Sequence, residues 1–457
     1  MICKPRCRIL GFSWSSSENS STNAWNVNLN NGNVNTNTKS NINDNNRVRS
    51  FLSSKLAHNA VITMITLEDI YSAYYSCKRN KANTKQAIKF SLDLESNLIK
   101  LYNDIINKRY KIGPSIAFIV TRPKLREVFA ANFRDRIVHH LLIDRLEPLF
   151  EQDFIEDSYS CRKGKGTLYG VLRLKEKIRI MSENYTKDCW IGKFDIHGFF
   201  MSINKVILAK KLKEYINQRY QGDDKDIILY LARKIVEHRP QDNCFKQKSS
   251  LRLWSKLPSY KSLFTCDPNC GLPIGNLTSQ CFANFYMNKF DHMMTEMFNG
   301  FYGRYVDDFY VIGRTKKDIT KRIPIIRKFL KDKLHLELHP SKMYIQPYYH
   351  GLRFIGYYIK KDLIKLGNVC IGNLYDAIMK VNKETPCQES AIKITSTLNS
   401  YFGFLRQDTI ERRKEFWDML NKKWKGYVFI NKDYTVVRLN PICNPLLQIK
   451  KKLMYGD

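Results

Sequence analysis

The chain has 457 residues and a formal net charge of +33, because 76 Lys and Arg outweigh 43 Asp and Glu. With 43% hydrophobic and 12% aromatic residues it can bury a sizeable core, which excludes a chain that is disordered throughout. The sequence has no apolar run of about 18 residues and no apolar signal core near its start, so neither a membrane span nor secretion is expected.

The large positive charge indicates a polyanionic partner, and nucleic acid is the first candidate. The alternative is a soluble basic protein without a specific partner, because charge alone does not separate the two.

Residues 1–63 differ in composition from the rest of the chain. Between Asn23 and Asn46, 12 of 24 residues are Asn, a residue that is unfavourable in the interior of helices and strands. We therefore expect a disordered Asn-rich segment, and a folded part that begins near Met64 with Thr66 as the N-cap of the first helix.

The predicted elements then alternate irregularly along the chain. Helices are expected over Leu92–Ile106, Ile137–Phe150, Leu168–Met181, 205–238, Ser279–Met297 and Lys316–Leu334. Strands are expected over Ser115–Val120, Trp190–Phe194, Phe301–Val306, Phe309–Ile312 and Leu352–Ile359. Residues 239–271 are expected to form an irregular insertion, and the tail to Asp457 to be mostly helical and basic. Without a regular βαβ repeat, this mixture predicts an α+β fold.

Three carboxylates occupy positions from which they could converge. Asp307 and Asp308 lie between two apolar strands, and Asp195 follows another strand. If these strands share a sheet, the carboxylates need a cation, and hard oxygen ligands select Mg²⁺. Two such ions about 3.5–4 Å apart would stabilise an in-line phosphoryl transfer. The alternative is an ordinary Asp-rich turn with Asp195 as a helix cap.

The flanking motifs resemble those of the reverse transcriptases. The resemblance runs from about Thr66 to Ile359 and rests on Asp195, on the Tyr305–Asp308 box and on the Gly271–Gln280 segment between them. It is closest to the group found in diversity-generating retroelements, because Ile274 stands where most members have Gln and Gln280 where most have Pro. The resemblance implies a right-hand fold, with fingers and palm over residues 64–360 and a helical thumb with a basic extension over residues 361–457.

The resemblance implies roles around the carboxylates. Asp195 and Asp307 would be the main ligands of two Mg²⁺ ions, for which Mn²⁺ can substitute, and Asp308 and the Ile196 carbonyl would be weaker ones. Phe200 would exclude a ribose 2′-OH, or else be a core aromatic beside Phe199. The resemblance also implies that Lys342 donates a proton to the leaving pyrophosphate. It implies contacts with the incoming nucleotide for Lys124, Arg126, Ile274, Gly275 and Gln280.

A basic glycine loop resembles the family's loop that follows the template or primer backbone, and its glycines would let backbone N–H groups approach phosphate. It contains Arg162, Lys163 and Lys165. Gly356 lies in a segment that resembles the hairpin that grips the primer. For all of these basic residues the alternative is a solvated charged face.

The cysteine spacing is a weak match to a zinc site. Cys266 and Cys270 are four positions apart, and Cys244 lies upstream, but no second close pair of Cys or His follows. Reduced thiols are therefore expected, as in the cytoplasm of a bacterial or phage-infected cell.

The function predicted from the resemblance is RNA-directed DNA synthesis, giving error-prone cDNA from a template RNA and deoxynucleoside triphosphates, with a small basic accessory protein as partner. The alternatives are a group II intron-like, retron-like or phage-defence reverse transcriptase, or an inactive polymerase fold that binds nucleic acid. Residues 15–50, through the stretches 23–35 and 46–49, also resemble the tail of the variable proteins of these retroelements, which end in a C-type-lectin-like fold. We therefore expect residues 1–63 to be a translated template repeat or a gene-start artefact, and the enzyme to begin near Met64. The alternatives are a ligand-binding lectin fragment and an Asn-rich linker.

Overall fold

The computed structural model describes residues 64–441, apart from residues 80, 122, 123, 249 and 250. The predictions for residues 1–63 and for the end of the chain beyond residue 441 lie outside the described residues. In the described part, helices and strands mix as in an α+β polymerase fold, which confirms the predicted fold class. No helix there combines the length and the apolar composition needed to span a bilayer.

The bounds of the helices and strands are as follows, for the described residues. The helices are α1 (Leu67–Lys78), α2 (Lys85–Ser91), α3 (Leu94–Ile106), α4 (Phe133–Asp153), α5 (Thr167–Met181), α6 (Phe199–Ser202), α7 (Lys205–Arg219), α8 (Lys225–Glu237), α9 (Leu251–Trp254), α10 (Leu277–Met297), α11 (Lys316–Thr320), α12 (Ile323–Leu334), α13 (Asn368–Lys383), α14 (Gln388–Phe404), α15 (Ile410–Asp418) and α16 (Lys422–Lys425). The strands are β1 (Ser115–Val120), β2 (Arg126–Ala130), β3 (Trp190–Asp195), β4 (Cys244–Lys246), β5 (Tyr302–Tyr305), β6 (Asp308–Gly313), β7 (Tyr344–Pro347), β8 (Leu352–Phe354), β9 (Tyr357–Lys360), β10 (Leu363–Leu366), β11 (Val428–Ile430) and β12 (Val437–Leu439).

Helix α1 begins where the sequence predicts. The Thr66 hydroxyl accepts a hydrogen bond from the Asp69 N–H at 3.3 Å, and the Asp69 carboxylate accepts one from the Thr66 N–H at 3.0 Å. This reciprocal capping satisfies two backbone donors that a helix start otherwise leaves unpaired. Helix α1 packs on α4, the long helix that runs through the larger apolar core.

The palm is a sheet with the strand order β5-β6-β3-β7 among the described strands. Its central pair, β3 and β6, is antiparallel and in register from Trp190–Gly313 to Asp195–Asp308. Both strands are apolar and largely buried, because the helices cover this sheet. The register brings the predicted acidic residues to the same end of the sheet.

The fingers contain a smaller sheet with the order β2-β1-β4. Strands β1 and β2 form an antiparallel hairpin, whereas β4 adds to β1 in parallel. Strand β4 belongs to residues 239–271, which the sequence predicts as an irregular insertion. That prediction was wrong for β4, because a parallel partner more than 100 residues away leaves no local signal.

The tail carries a second apolar core, which joins the sheet β10-β9-β8 to the helices α13, α14 and α15. The predicted mostly helical tail holds for these helices, but β10, β11 and β12 depart from it. The predicted single strand over Leu352–Ile359 is also divided, because β8 and β9 are joined by a tight turn. The proposed boundary near residue 360 stays a prediction.

Candidate active site

The sheet places two of the predicted carboxylates directly opposite each other. Asp195 is the last residue of β3, Asp308 is the first of β6, and the two are paired in the ladder. Asp307 precedes β6, and its carbonyl accepts a hydrogen bond from the Ile196 N–H at 3.2 Å. All three acids and the Ile196 backbone therefore lie at one end of the palm sheet, as the motif spacing predicts.

The turn that carries Asp307 is held in an uncommon backbone conformation. Val306 has φ of +59°, a left-handed value that is costly for a β-branched residue. The Val306 carbonyl accepts a hydrogen bond of 2.8 Å from the Arg304 guanidinium. Strain of this kind persists only where the surroundings determine it, and here the surroundings are a buried arginine.

Asp307 lies close to two other carboxylates, Asp195 and Asp308. Burial raises the pKa of the Asp307 carboxyl above its ordinary value, and the neighbouring Asp308 and Asp195 raise it further. The same region contains Arg126, whose pKa is lowered by burial, while the charge of Asp307 acts in the opposite direction. The fingers arginine and the palm carboxylates thus share one electrostatic environment.

Two lysines also reach the carboxylates. Lys342 Nζ lies 2.9 Å from Asp195 Oδ1, and Lys193 Nζ lies 3.4 Å from Asp308 Oδ1. A cavity of about 480 Å³ opens beside them. Its lining includes Asp195, Asp308, Lys193, Lys342 and the hairpin residues Arg353 and Tyr358. Lys342 therefore lies beside Asp195, and its role as a proton donor stays a prediction.

The oxygen donors at this end of the sheet match the ligands of a hard metal ion in kind. Within the described residues, no group of three or more Asp, Glu, His or Cys side chains is arranged as a ready metal site. The chemistry is nevertheless suitable, because carboxylate and carbonyl oxygens are the ligands that Mg²⁺ takes. The charges of Asp308 and Asp195 raise the pKa of Asp307, so the three acids lie close enough to interact. The residues present fit Mg²⁺ in kind.

The fingers hairpin holds the predicted nucleotide-contacting cations. Arg126 opens β2 and pairs with Val120 in the ladder, so it stands at the tip of the hairpin. Lys124 is exposed in the connecting loop. The structure thus brings Arg126 close to the acids and leaves Lys124 at the surface.

The Gly271–Gln280 segment docks against β2. The Ile274 carbonyl accepts a hydrogen bond from the Phe129 N–H at 3.0 Å, and the Asn276 side chain accepts one from the Ala131 N–H at 3.3 Å. Gly275 has φ of +113°, and a Cβ there would lie 2.8 Å from Val128 Cγ1. A side chain at this position would therefore face both strain and a clash, which explains the glycine.

Ile274 and Gln280 occupy different environments within this segment. The Ile274 side chain packs, partly buried, against a small apolar cluster that contains Phe129. Gln280 lies in the first turns of α10 and is half-buried. Both positions stay predictions as nucleotide contacts.

Phe199 and Phe200 differ in burial, which agrees with the expectation that one of them is a core residue. Phe199 is 3% exposed and belongs to the core, whereas Phe200 is half-buried and meets Phe199 edge to face, with the ring centroids 5.4 Å apart. Of the two, Phe200 is the one with surface to offer a nucleotide.

The basic glycine loop differs from its prediction. Arg162 is buried, and its guanidinium donates to the Glu151 carboxylate and to the carbonyls of Ile155 and Ser158. Lys165 donates to the Glu156 carbonyl at 2.6 Å, and its side chain is 11% exposed. Arg162 and Lys165 therefore stabilise the loop from within.

Lys163 remains on the outer surface of the same loop. Its side chain is 90% exposed, although Nζ lies 3.0 Å from a Glu147 oxygen. Of the three cations of this loop, Lys163 is the most exposed, and its contact with a phosphate backbone stays a prediction.

Gly356 forms the turn of the β8–β9 hairpin. Ile355 and Gly356 both have positive φ, at +45° and +87°, which matches the two-residue turn that best follows strand twist. The Gly356 carbonyl accepts a hydrogen bond of 2.8 Å from the Gly367 N–H. Its observed role is thus to shape the hairpin, and contact with a primer stays a prediction.

Sequence reasoning missed the residues that support the site. Arg304 is fully buried in β5 and bonds to Asp291 of α10, and Glu127 is fully buried in β2. A charged residue inside an apolar strand was the available signal, because a buried charge requires a partner.

The cysteines have ordinary partners. The Cys266 thiol donates to the carbonyls of Leu263 and Cys270 at 3.3 and 3.5 Å, and the Cys244 thiol to that of Gln241 at 3.7 Å. Cys244, Cys266 and Cys270 are not disulfide-bonded in the structure.

An antiparallel palm sheet with two facing acids at the end of its central strands, together with a fingers hairpin that has an arginine at its tip, is the arrangement of the right-hand polymerase fold. Residues 106–359 match the family model for the reverse transcriptase (RNA-dependent DNA polymerase). This match covers more than half of the chain, and the chain belongs to the reverse transcriptase family.

The curated relatives have low sequence identity to this chain. Protein YkfC of Escherichia coli (strain K12) is 20% identical over 320 residues, which is 62% of this chain and 76% of that protein. Nuclear intron maturase 2, mitochondrial, of Arabidopsis thaliana is 28% identical over 116 residues, 22% of this chain and 15% of the maturase. Nuclear intron maturase 1, mitochondrial, of the same plant is 22% identical over 160 residues, 32% of this chain and 21% of the maturase. The similarity therefore spans only a minor part of either maturase.

Proposed function

We propose that the chain is an active RNA-directed DNA polymerase, which copies a template RNA into cDNA from deoxynucleoside triphosphates. The observation that carries this proposal is the pairing of Asp195 with Asp308 at the end of the palm sheet, with Asp307 beside them. An inactive nucleic-acid-binding fold would have no need to keep three mutually repelling acids together, since their repulsion raises the pKa of Asp307.

The proposed reaction forms a bond from the primer 3′-oxygen to the α-phosphorus of the nucleotide and breaks the bond from that phosphorus to the oxygen of the leaving pyrophosphate. The proton of the 3′-hydroxyl passes to water. Arg126 at the fingers tip binds the polyphosphate, because a guanidinium matches phosphate geometry, and Lys124 assists from the loop. Phe200 excludes a ribose 2′-OH. Lys342, which lies beside Asp195, holds a proton at Nζ that it can give to the leaving pyrophosphate.

Mg²⁺, or Mn²⁺ in its place, would be held by Asp195, Asp307, Asp308 and the Ile196 carbonyl. When bound, two such ions stabilise charge on the attacking and leaving oxygens. The protein itself fixes the acids through the β3–β6 ladder and the Val306 turn.

We assign the enzyme to the diversity-generating group, in which the cDNA is error-prone. The support is Ile274 and Gln280, which replace the family's usual Gln and Pro, in a segment docked on the strand that begins with Arg126. A small basic accessory protein and a location in the cytoplasm of a bacterial or phage-infected cell belong to the same proposal. Lys163 and the Gly356 hairpin are its proposed contacts with template and primer.

A second candidate is a group II intron-like reverse transcriptase. The similarity to two proteins named as intron maturases favours it. The two candidates differ in fidelity, because the diversity-generating assignment predicts errors concentrated opposite template adenine.

Primer extension tests the proposal. A DNA primer annealed to an RNA template is incubated with the full chain and deoxynucleotides, in Mg²⁺ and separately in Mn²⁺. Extension with misincorporation opposite adenine supports the diversity-generating assignment, and accurate extension supports the intron-like candidate. No incorporation with either ion would show a binding protein instead.

A further inference from the structure

The insertion between the palm acids and the Gly271–Gln280 segment reaches the edge of the active site. The Tyr260 ring stacks on the His197 imidazole, with centroids 4.6 Å apart and planes 29° from parallel. His197 is two residues beyond Asp195 in the chain. The Tyr260 carbonyl also lies against Gly198, where an added Cβ would be 3.2 Å from it. One end of this contact therefore rests on the palm.

The other end rests on the fingers. Glu127, the residue after Arg126, is fully buried, and its carboxylate accepts hydrogen bonds of 2.7 Å from the Ser262 hydroxyl and from the Leu263 N–H. Trp254 of the insertion donates a third bond of 2.7 Å to the same carboxylate. Because a buried carboxylate needs such donors, this anchor fixes the insertion to β2.

Lys261 lies between these two anchors. Tyr260 on one side contacts the palm loop after Asp195, and Ser262 on the other contacts the neighbour of Arg126. The Lys261 side chain is exposed, with Nζ 5.3 Å from the centre of the Tyr260 ring. The insertion thus carries an exposed cation between its palm contact and its fingers contact.

His197 joins this contact to the end of the palm sheet that carries Asp195. The His339 N–H donates a hydrogen bond of 2.7 Å to the Asp195 carbonyl, and the His339 ring lies 5.3 Å from that of His197. The Tyr260 ring, one residue before Lys261, stacks on the same His197 ring. Lys261 therefore follows a residue that is held at this end of the sheet.

We propose that Lys261 binds the polyphosphate of the incoming nucleotide, together with Arg126 and Lys342. This inference rests on the proposed polymerase function. The three cations come from three separate parts of the chain, namely the insertion, the start of β2 and the segment before β7, and together they suit an anion with several charges in a short length. The insertion has no Asp or Glu from Asn243 to Cys266, so its own sequence offers such an anion no repulsion.

The test compares Lys261→Gln with Lys256→Gln, a matched control that removes the same charge from an exposed position of the same insertion. Single incorporation of dTTP opposite a template adenine is measured over a range of dTTP concentrations. We expect the apparent dissociation constant of dTTP to rise about threefold to fivefold in Lys261→Gln, the size of an exposed charge contact. The maximal rate, the affinity for the primer–template duplex and the control variant should not change.

A binding experiment keeps this inference separate from the proposed function. Inorganic tripolyphosphate is titrated into each protein by calorimetry, which needs no catalysis. If the wild-type chain fails to extend a primer, the proposed function fails, but weaker tripolyphosphate binding by Lys261→Gln still supports the subsite. Equal binding by Lys261→Gln and wild type, or a loss of duplex affinity without a change for dTTP, would overturn it.

Discussion

Arg304 and Asp291 form an ion pair in which both side chains are almost fully buried, at 0% and 1% exposure, with Nη2 2.6 Å from Oδ2. The same guanidinium donates to the Val306 carbonyl, and the Tyr302 hydroxyl donates to Asp291 at 2.6 Å. The turn that presents Asp307 is therefore tied to helix α10 through one arginine. The position of Asp307 therefore depends on the buried Arg304–Asp291 pair.

Removal of one partner of this pair should be strongly destabilising. We expect Arg304→Met or Asp291→Leu alone to lower the free energy of unfolding by about 3–5 kcal/mol, because each leaves an uncompensated buried charge. The double variant should lose less than either single variant. Urea unfolding measures all three, and a double variant that loses the sum of the single effects would contradict the prediction.

The buried histidines predict a pH dependence of stability. Burial lowers the pKa of His139 to about 3 and that of His238 to about 4, and both keep a ring nitrogen without a protein partner. Below the ordinary His pKa these histidines are protonated in the unfolded chain but stay neutral in the folded chain. Their contribution to the free energy of unfolding is therefore complete above about pH 6.5 and is lost as the pH falls towards 4. Each histidine contributes a slope of up to about 1.4 kcal/mol per pH unit.

A variant isolates this effect. Urea unfolding of His139→Gln and of the wild type is compared at several values between pH 6.5 and 4.5. The free energy of unfolding should change less steeply with pH in the variant, by the equivalent of about one bound proton. Parallel slopes would show that His139 does not stay neutral in the fold.

Gly275 offers a prediction about the nucleotide-side segment. Gly275→Ala places a Cβ at φ of +113° and 2.8 Å from Val128, so we expect a loss of about 1–3 kcal/mol in stability and a weaker apparent affinity for dTTP. Gly372→Ala is the control, since it lies within α13 with nothing within 4 Å of an added Cβ. That change should stabilise the helix by up to about 1 kcal/mol. Equal behaviour of the two variants in thermal unfolding would refute the argument.

Ile274 is expected to influence fidelity. An Ile side chain donates no hydrogen bond, so a mispair loses less transition-state stabilisation relative to a correct pair than it would beside Gln. We expect Ile274→Gln to reduce misincorporation opposite template adenine by about tenfold, which corresponds to about 1.4 kcal/mol. Sequencing of the cDNA measures this, and an unchanged error spectrum would show that another residue sets the fidelity.

The place of the acids at one end of the palm sheet was predictable, because Asp195 follows a short apolar strand, Asp307 and Asp308 lie between two others, and the flanking motifs resemble a known family. The catalytic roles of the acids stay predictions. The 205–238 helical stretch was predicted as one unit but divides into α7 and α8, a boundary that periodicity alone does not reveal. Arg162 illustrates what sequence could not give. Its partner Glu151 lies 11 residues upstream, and only the fold shows that the two meet in the interior.

The insertion was the largest departure from prediction, for a related reason. Its attachments to β1, Glu127 and His197 are all non-local, so its sequence reads as irregular. Non-local pairing of this kind is decided by tertiary structure rather than by propensity.

Asp307→Asn in primer extension is the measurement that tests the central claim most directly. Rates of single-nucleotide addition are compared for the variant and the wild type on one RNA template, with duplex affinity and urea unfolding measured alongside. The account predicts that addition is abolished while duplex affinity stays the same and stability does not fall, because the variant loses a repelled carboxylate. Near-normal addition by a folded Asp307→Asn variant would contradict the assignment of these acids as the catalytic centre.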